Sequence, residues 1–116
     1  MALHKGDIVL VQFPFTDLSQ AKLRPALVLY ANNALNEITL CFISSQNVGN
    51  LTPEEFAINP SDAEFPETGL RVSSKVRVTR LTTLQNQLVV RRLGKLGIQQ
   101  MQQLNETLIQ VFQLNV

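Results

Sequence analysis

The sequence contains no tryptophan, one tyrosine, one histidine and one cysteine among its 116 residues. Each scarcity excludes something. Grooves that read proline-rich peptides are walled by aromatic rings, so a peptide-binding module of that kind fits poorly. The single cysteine, Cys41, forms no disulfide within the chain. It lies in the apolar run "ITLCFIS" and reads as a small core residue. The lone histidine, His4, stands in the N-terminal stretch and reads as a tail residue. With one of each, no His/Cys set is spaced for zinc. Glu54 and Glu55 are adjacent, so in an extended segment they point apart. No glycine-rich phosphate loop and no Gly-x-Ser-x-Gly elbow occurs. No cofactor or metal is therefore implied. The opening "MALHKGD" has no signal-peptide apolar run, and no stretch is long enough to cross a bilayer as a helix. The expectation is a cytoplasmic protein without a membrane partner.

Acidic residues are missing from one long region. Between Thr68 and Asn105 there is none, while Arg71, Lys75, Arg77, Arg80, Arg91, Arg92 and Lys95 fall there. Residues 1–67 carry three cations against eight acids, so the net charge of +1 hides two halves of opposite sign. A polyanionic partner explains the basic half. A solvated sheet face balanced by the acids of the first half explains it equally well. Apolar residues make up 45% of the chain, enough for one core, and the expected organisation is a single domain over 1–116.

Short runs rich in β-branched residues predict strands over Ile8–Phe13, Ala26–Tyr30, Ile38–Ile43 and Thr83–Val90, with a short edge strand at Phe56–Ile58. Pro25 is tolerated at the start of its strand. Leu70–Leu81 alternates, which predicts a half-buried strand with Arg71, Ser73, Lys75 and Arg77 on one face and Ser74 on the apolar parity. "NPSDAEFPETG" reads as a long connection. Ile98, Met101, Leu104, Leu108, Val111 and Phe112 recur at helical spacing and predict one terminal helix with a glutamine-rich outer face. Short strands followed by a helix predict a small antiparallel barrel or sandwich with the helix packed on it.

"GDIVLVQFPF", a short polar loop and "RPALVL" together resemble the N-terminal signature of the MazF/PemK family of bacterial type II toxins. "LCFISSQ", "TGLRVSSKVRVTRL" and "RLGKLGIQQMQQLNETL" are similar to later elements of that family, in the same order. The resemblance implies a mostly β, SH3-like barrel with a C-terminal helix, usually a homodimer. It also implies a growth-inhibiting endoribonuclease that cuts single-stranded RNA without a metal. Its expected partners are an acidic antitoxin and, together with that antitoxin, operator DNA.

Residue by residue, the resemblance places Arg24 in the active site and a hydroxyl, Ser44 with its neighbour Ser45, at the end of the third strand. A guanidinium there donates two parallel hydrogen bonds to a phosphate. A surface arginine paired with Asp17 or another acid is the alternative, as is a loop serine bonding its own backbone. Arg71, Lys75, Arg77 and Arg80 read as phosphate contacts along a groove, with Ser74 on the same segment and Lys22 and Phe15 in the first loop as further RNA contacts. Phe15 is a base-stacking residue or a core cap. One departure matters. Ser74–Lys75 stands where many family members have an acid followed by glutamine, so no obvious general base remains. A non-catalytic or weakly active RNA-, DNA- and antitoxin-binding protein is the competing reading.

Overall fold

A computed structural model of the chain describes residues 2–12 and 22–114. Their regular elements are β1 (Asp7–Gln12), β2 (Leu23–Asn32), β3 (Glu37–Ser44), β4 (Glu55–Ile58), α1 (Phe65–Thr68), β5 (Ser74–Gln85), β6 (Val89–Lys95) and α2 (Ile98–Phe112). All strand pairings are antiparallel, in the order β4-β5-β3-β2-β1-β6.

The sheet is strongly curled. β5 and β6 are four strand spacings apart in that order, which is about 19 Å in a flat sheet. Yet only a 3-10 turn, Asn86–Leu88, joins them. The step from Gln85 to Val89 reaches at most about 14 Å when fully extended. Only a curled sheet brings the two ends that close. The curl stops short of a closed barrel, because β4 and β6 remain edges with no pairing between them.

Alternation along the central strands fills both faces. Ile8, Leu27, Cys41 and Ile43 join one buried cluster. Their sequence neighbours Val9, Ala26, Val28 and Leu40 join the other. The first cluster is covered by α2 through Leu104, Met101 and Leu108. Ile98 and Phe112, although on the helical repeat, are 77% and 42% exposed. The first turn of α2 is closed from a distance. The Gln99 and Gln100 amides donate to the two carboxylate oxygens of Glu64, each at 3.0 Å, a negative group at a helix N-terminus. Cys41 is fully buried in the first cluster, and burial pushes its thiol up to about 12.

Three predicted elements differ. Leu70–Leu81 and Thr83–Val90 are not two strands. β5 begins only at Ser74 and runs unbroken to Gln85. It holds a bulge: Phe42 pairs with Arg77 but Cys41 with Leu81, leaving 78–80 without a β3 partner. That odd insertion reverses the faces beyond it. Val76 and Val78 therefore lie in the first cluster and Leu84 in the second. Inside "NPSDAEFPETG" the structure has α1, with Thr68 buried and its hydroxyl donating to the Phe65 carbonyl at 2.6 Å.

Candidate functional site

Pro25 opens the site. β1 pairs with β2 through Leu10↔Pro25 and Val11↔Arg24. The pairing of β2 with β3 begins only at Ala26↔Phe42. Proline has no N–H to offer a third strand, so β2 and β3 part there. A cavity of about 360 Å³ fills the fork. Arg24 and Pro25 line it from one strand, Ile43 and Ser44 from the other. Leu10, Leu70 and Leu93 supply apolar wall, and Ser45, Gln46, Arg71, Ser74 and Arg91 are among the polar residues that line it.

The two hydroxyls differ in what they have left to give. Ser44 Oγ accepts from the Gln46 amide at 3.0 Å, which leaves its proton free to donate. Ser74 Oγ donates to the Val72 carbonyl at 2.9 Å, which leaves only acceptor capacity. No carboxylate lines the cavity among the described residues. Arg24, Arg71 and Arg91 have no ion-pair partner among them either. The result is a pocket with an apolar wall and three guanidinium groups that no described carboxylate neutralises, suited to an anion that also carries a flat or apolar part.

A model of the PemK-like, MazF-like toxins of type II toxin–antitoxin systems matches residues 4–112. The chain belongs to that family. A comparison with curated protein sequences returns no match. Solved structures similar to this MazF-like chain include a mycobacterial endoribonuclease in complex with its cognate antitoxin (TM-score 0.73, 18% identity, 99% of each chain covered). The Mycobacterium tuberculosis toxin MazF-mt6 is similar at TM-score 0.71 and 21% identity, over 95% of this chain and 99% of that one. MazF from Deinococcus radiodurans gives TM-score 0.71 and 20% identity over 97% of each.

Of the residues singled out in the sequence of this MazF-like chain, Arg24, Ser44, Ser45, Arg71 and Ser74 come together in the fork. Lys22 is exposed just before β2 and does not line it. Phe15, and Asp17 as the alternative partner of Arg24, lie outside the described residues. Lys75, Arg77 and Arg80 are not brought to the fork. The alternation that grouped Arg71 with Lys75 and Arg77 presumes a strand through Arg71, and β5 starts after it. Lys75 and Arg77 instead hold Glu55, Nζ to Oε1 at 3.1 Å and Nε to Oε2 at 3.0 Å. Arg77 and Arg80 line a separate cavity of about 260 Å³ beside Glu54 and Glu55. Arg91 was missed as a site residue. It is placed by its pairing with Leu10, while the adjacent Arg92 is occupied by Asp7 at 3.1 Å.

The Glu55 side chain is only 5% exposed. Burial pushes its carboxyl up, but the Thr52 backbone bond, Lys75 and Arg77 outweigh burial and hold it below the usual range. A carboxyl with a depressed folded-state pKa contributes stability above its unfolded value, about 4.3, and that contribution is lost as pH falls through the folded value. Glu55→Gln is therefore expected to cost about 3 kcal/mol at pH 7 and to flatten the acid limb of the stability profile below about pH 4. Urea denaturation across pH 3–7 checks this; parallel acid limbs in wild type and variant would refute it.

Among the described residues, no helix is long and apolar enough to cross a membrane. None of their His, Cys, Asp and Glu side chains form a group of three or more able to share a metal ion.

Proposed function

We propose that this MazF-like toxin is a cytoplasmic endoribonuclease that cuts single-stranded RNA with some sequence preference and without a metal. The observation that carries the proposal is the fork: Arg24, Arg71, Arg91 and a Ser44 hydroxyl that accepts from the Gln46 amide surround one cavity, with no carboxylate lining it among the described residues. A phosphodiester seated there has its non-bridging oxygens met by the Arg24 guanidinium and the Ser44 hydroxyl. The RNA 2′-hydroxyl attacks the adjacent phosphorus, the 2′-O–P bond forms and the P–O5′ bond breaks. The leaving oxygen takes a proton from solvent and departs as a 5′-hydroxyl. Arg24 stabilises the charge gathering on phosphorus as the transition state forms. Ser74 accepts a hydrogen bond from the attacking hydroxyl but holds no proton-accepting carboxylate, so the attacking proton goes to solvent and the enzyme is slow. Arg71 and Arg91 bind flanking phosphates, and the apolar wall faces a base. The same cationic fork suits an extended acidic antitoxin segment, with the chain acting as a homodimer and reaching operator DNA through that antitoxin.

A second reading, binding without cleavage, is favoured by one observation, Ser74 in the place where the resemblance expects an acid. Incubation of mixed-sequence single-stranded RNA with the protein in EDTA separates the two. Cut products ending in 2′,3′-cyclic phosphate, and protection of a strand with 2′-deoxy substitution at the cut position, are the expected result. Tight RNA binding with no product under these conditions would sink the nuclease and leave the second reading.

A further inference from the structure

Ser45 and Gln46 belong to the connection between β3 and β4, which has no regular structure to hold it. It forms part of the wall of the fork and so must be fixed by something else. Lys75, on β5, lies directly across from Ser44 of β3 and from Ala57 of β4. It is 7% exposed, deep for a residue type that is almost never fully buried unless paired. Its ammonium donates to Glu55 Oε1 at 3.1 Å and, at 3.4 Å, to the carbonyl of Asn47. Glu55 Oε1 also accepts the Thr52 amide at 3.1 Å. Both halves of the connection are thus tied to one buried ion pair.

At Asn47 the backbone is left-handed, with φ at 52°. The Asn47 carbonyl also receives the Asn50 amide at 3.1 Å, and one residue earlier the Gln46 amide closes on Ser44 Oγ. We propose that Lys75 is a positioning residue of the fork. Its ammonium, locked by Glu55, anchors the Asn47 carbonyl, which sets the Ser44–Gln46 turn and leaves the Ser44 proton aimed at the pocket. Lys75 itself does not touch RNA. The kinetic consequence rests on the nuclease reading above; the structural one does not.

The physical logic is that a short polar turn, held at one end by a strand, samples many conformations unless its far end is anchored. Displacing a transition-state donor by about 1 Å costs on the order of 10²-fold in rate. A strong anchor at low exposure is what an ammonium between a carboxylate and a carbonyl provides. Burying that ammonium is costly, and the pair is arranged so that its loss leaves Glu55 holding a charge with one cation fewer.

The test compares wild type with Lys75→Met, and with Lys75→Gln if the methionine variant does not fold. Turnover at saturating RNA is expected to fall by roughly 10- to 100-fold with KM within about threefold. The salt dependence of RNA affinity is expected to stay unchanged. A lost phosphate contact would instead reduce its slope by about 0.7. Hydrogen exchange at the Gln46 and Asn50 amides is expected to speed up while β1 and β2 amides stay protected. A reduced salt slope would make Lys75 an RNA contact and overturn the proposal, as would unchanged turnover. If the wild type neither binds nor cuts RNA, the nuclease reading fails. The anchor is then judged by exchange alone, and unaltered exchange at Gln46 and Asn50 overturns it.

Discussion

Arg24→Ala is expected to lower RNA cleavage in EDTA by about 10²–10³-fold, the loss seen when one preorganised charge-stabilising donor is removed from a site. Affinity is expected to fall far less, because Arg71 and Arg91 still line the same cavity. Arg24 stands apart from those two by its place in the fold. It sits on β2 paired with Val11, at the point where β2 and β3 separate, facing Ser44 across the fork. Its backbone is fixed by a strand, whereas Arg71 precedes β5 in irregular chain. Preorganisation favours the strand-borne residue as the one that meets the reacting phosphate. Arg71→Ala is expected to weaken binding, with a salt slope smaller by about 0.7 and turnover little changed. The measurement is single-turnover cleavage of a labelled RNA, with circular dichroism to establish folding. Cleavage by Arg24→Ala within threefold of wild type would remove Arg24 from the chemistry.

The chain announces this fork in part. An arginine and a proline at the mouth of an apolar strand are costly unless the arginine meets an anion and the proline meets no third strand; the second condition holds in the fold, where β2 pairs with β3 only from Ala26, and the first is what the proposed phosphate site would supply. The terminal helix and the first three strands follow from period and β-branching alone. What stays hidden depends on pairing between distant segments. Arg91 and Arg92 are indistinguishable in sequence; only the register with β1 sends one to the fork and the other to Asp7. The grouping of Lys75 and Arg77 with Arg71 fails because alternation is a property of a strand, and no local signal marks Ser74 as its start. Glu55, read only as one of two adjacent acids, turns out to neutralise both cations. The bulge at 78–80 is likewise a matter of partner register, which sequence period does not encode.

Gly94→Ala is expected to destabilise the protein by about 3 kcal/mol, in the range of overpacking against atoms that cannot move. A Cβ at Gly94 would collide with the backbone of Glu67 and Thr68, the end of α1. One residue earlier, the Leu93 backbone occupies the space where a Cβ on Gly69 would stand. The two glycines let α1 and β6 touch backbone to backbone. Gly69 carries a second requirement, φ at 74°, which adds about 1–2 kcal/mol to any L side chain there. The contact bears on the fork because Gly69, Leu70, Arg71 and Leu93 all line it. A flexible side chain could swing aside from a new methyl group, but a carbonyl held by a strand and a helix end cannot. So α1 must lift from β6, carrying Arg71 with it. Gly49→Ala is the internal control, since its Cβ would meet no atom within 4 Å, and its effect is expected within about 0.5 kcal/mol. Urea midpoints at pH 7, at unchanged denaturant slope, measure both. If Gly94→Ala unfolds within 1 kcal/mol of Gly49→Ala, α1 yields more easily than backbone contact implies. In the expected case, the loss of stability comes with a loss of RNA affinity at temperatures where the variant is still folded, because the wall that bears Arg71 has moved.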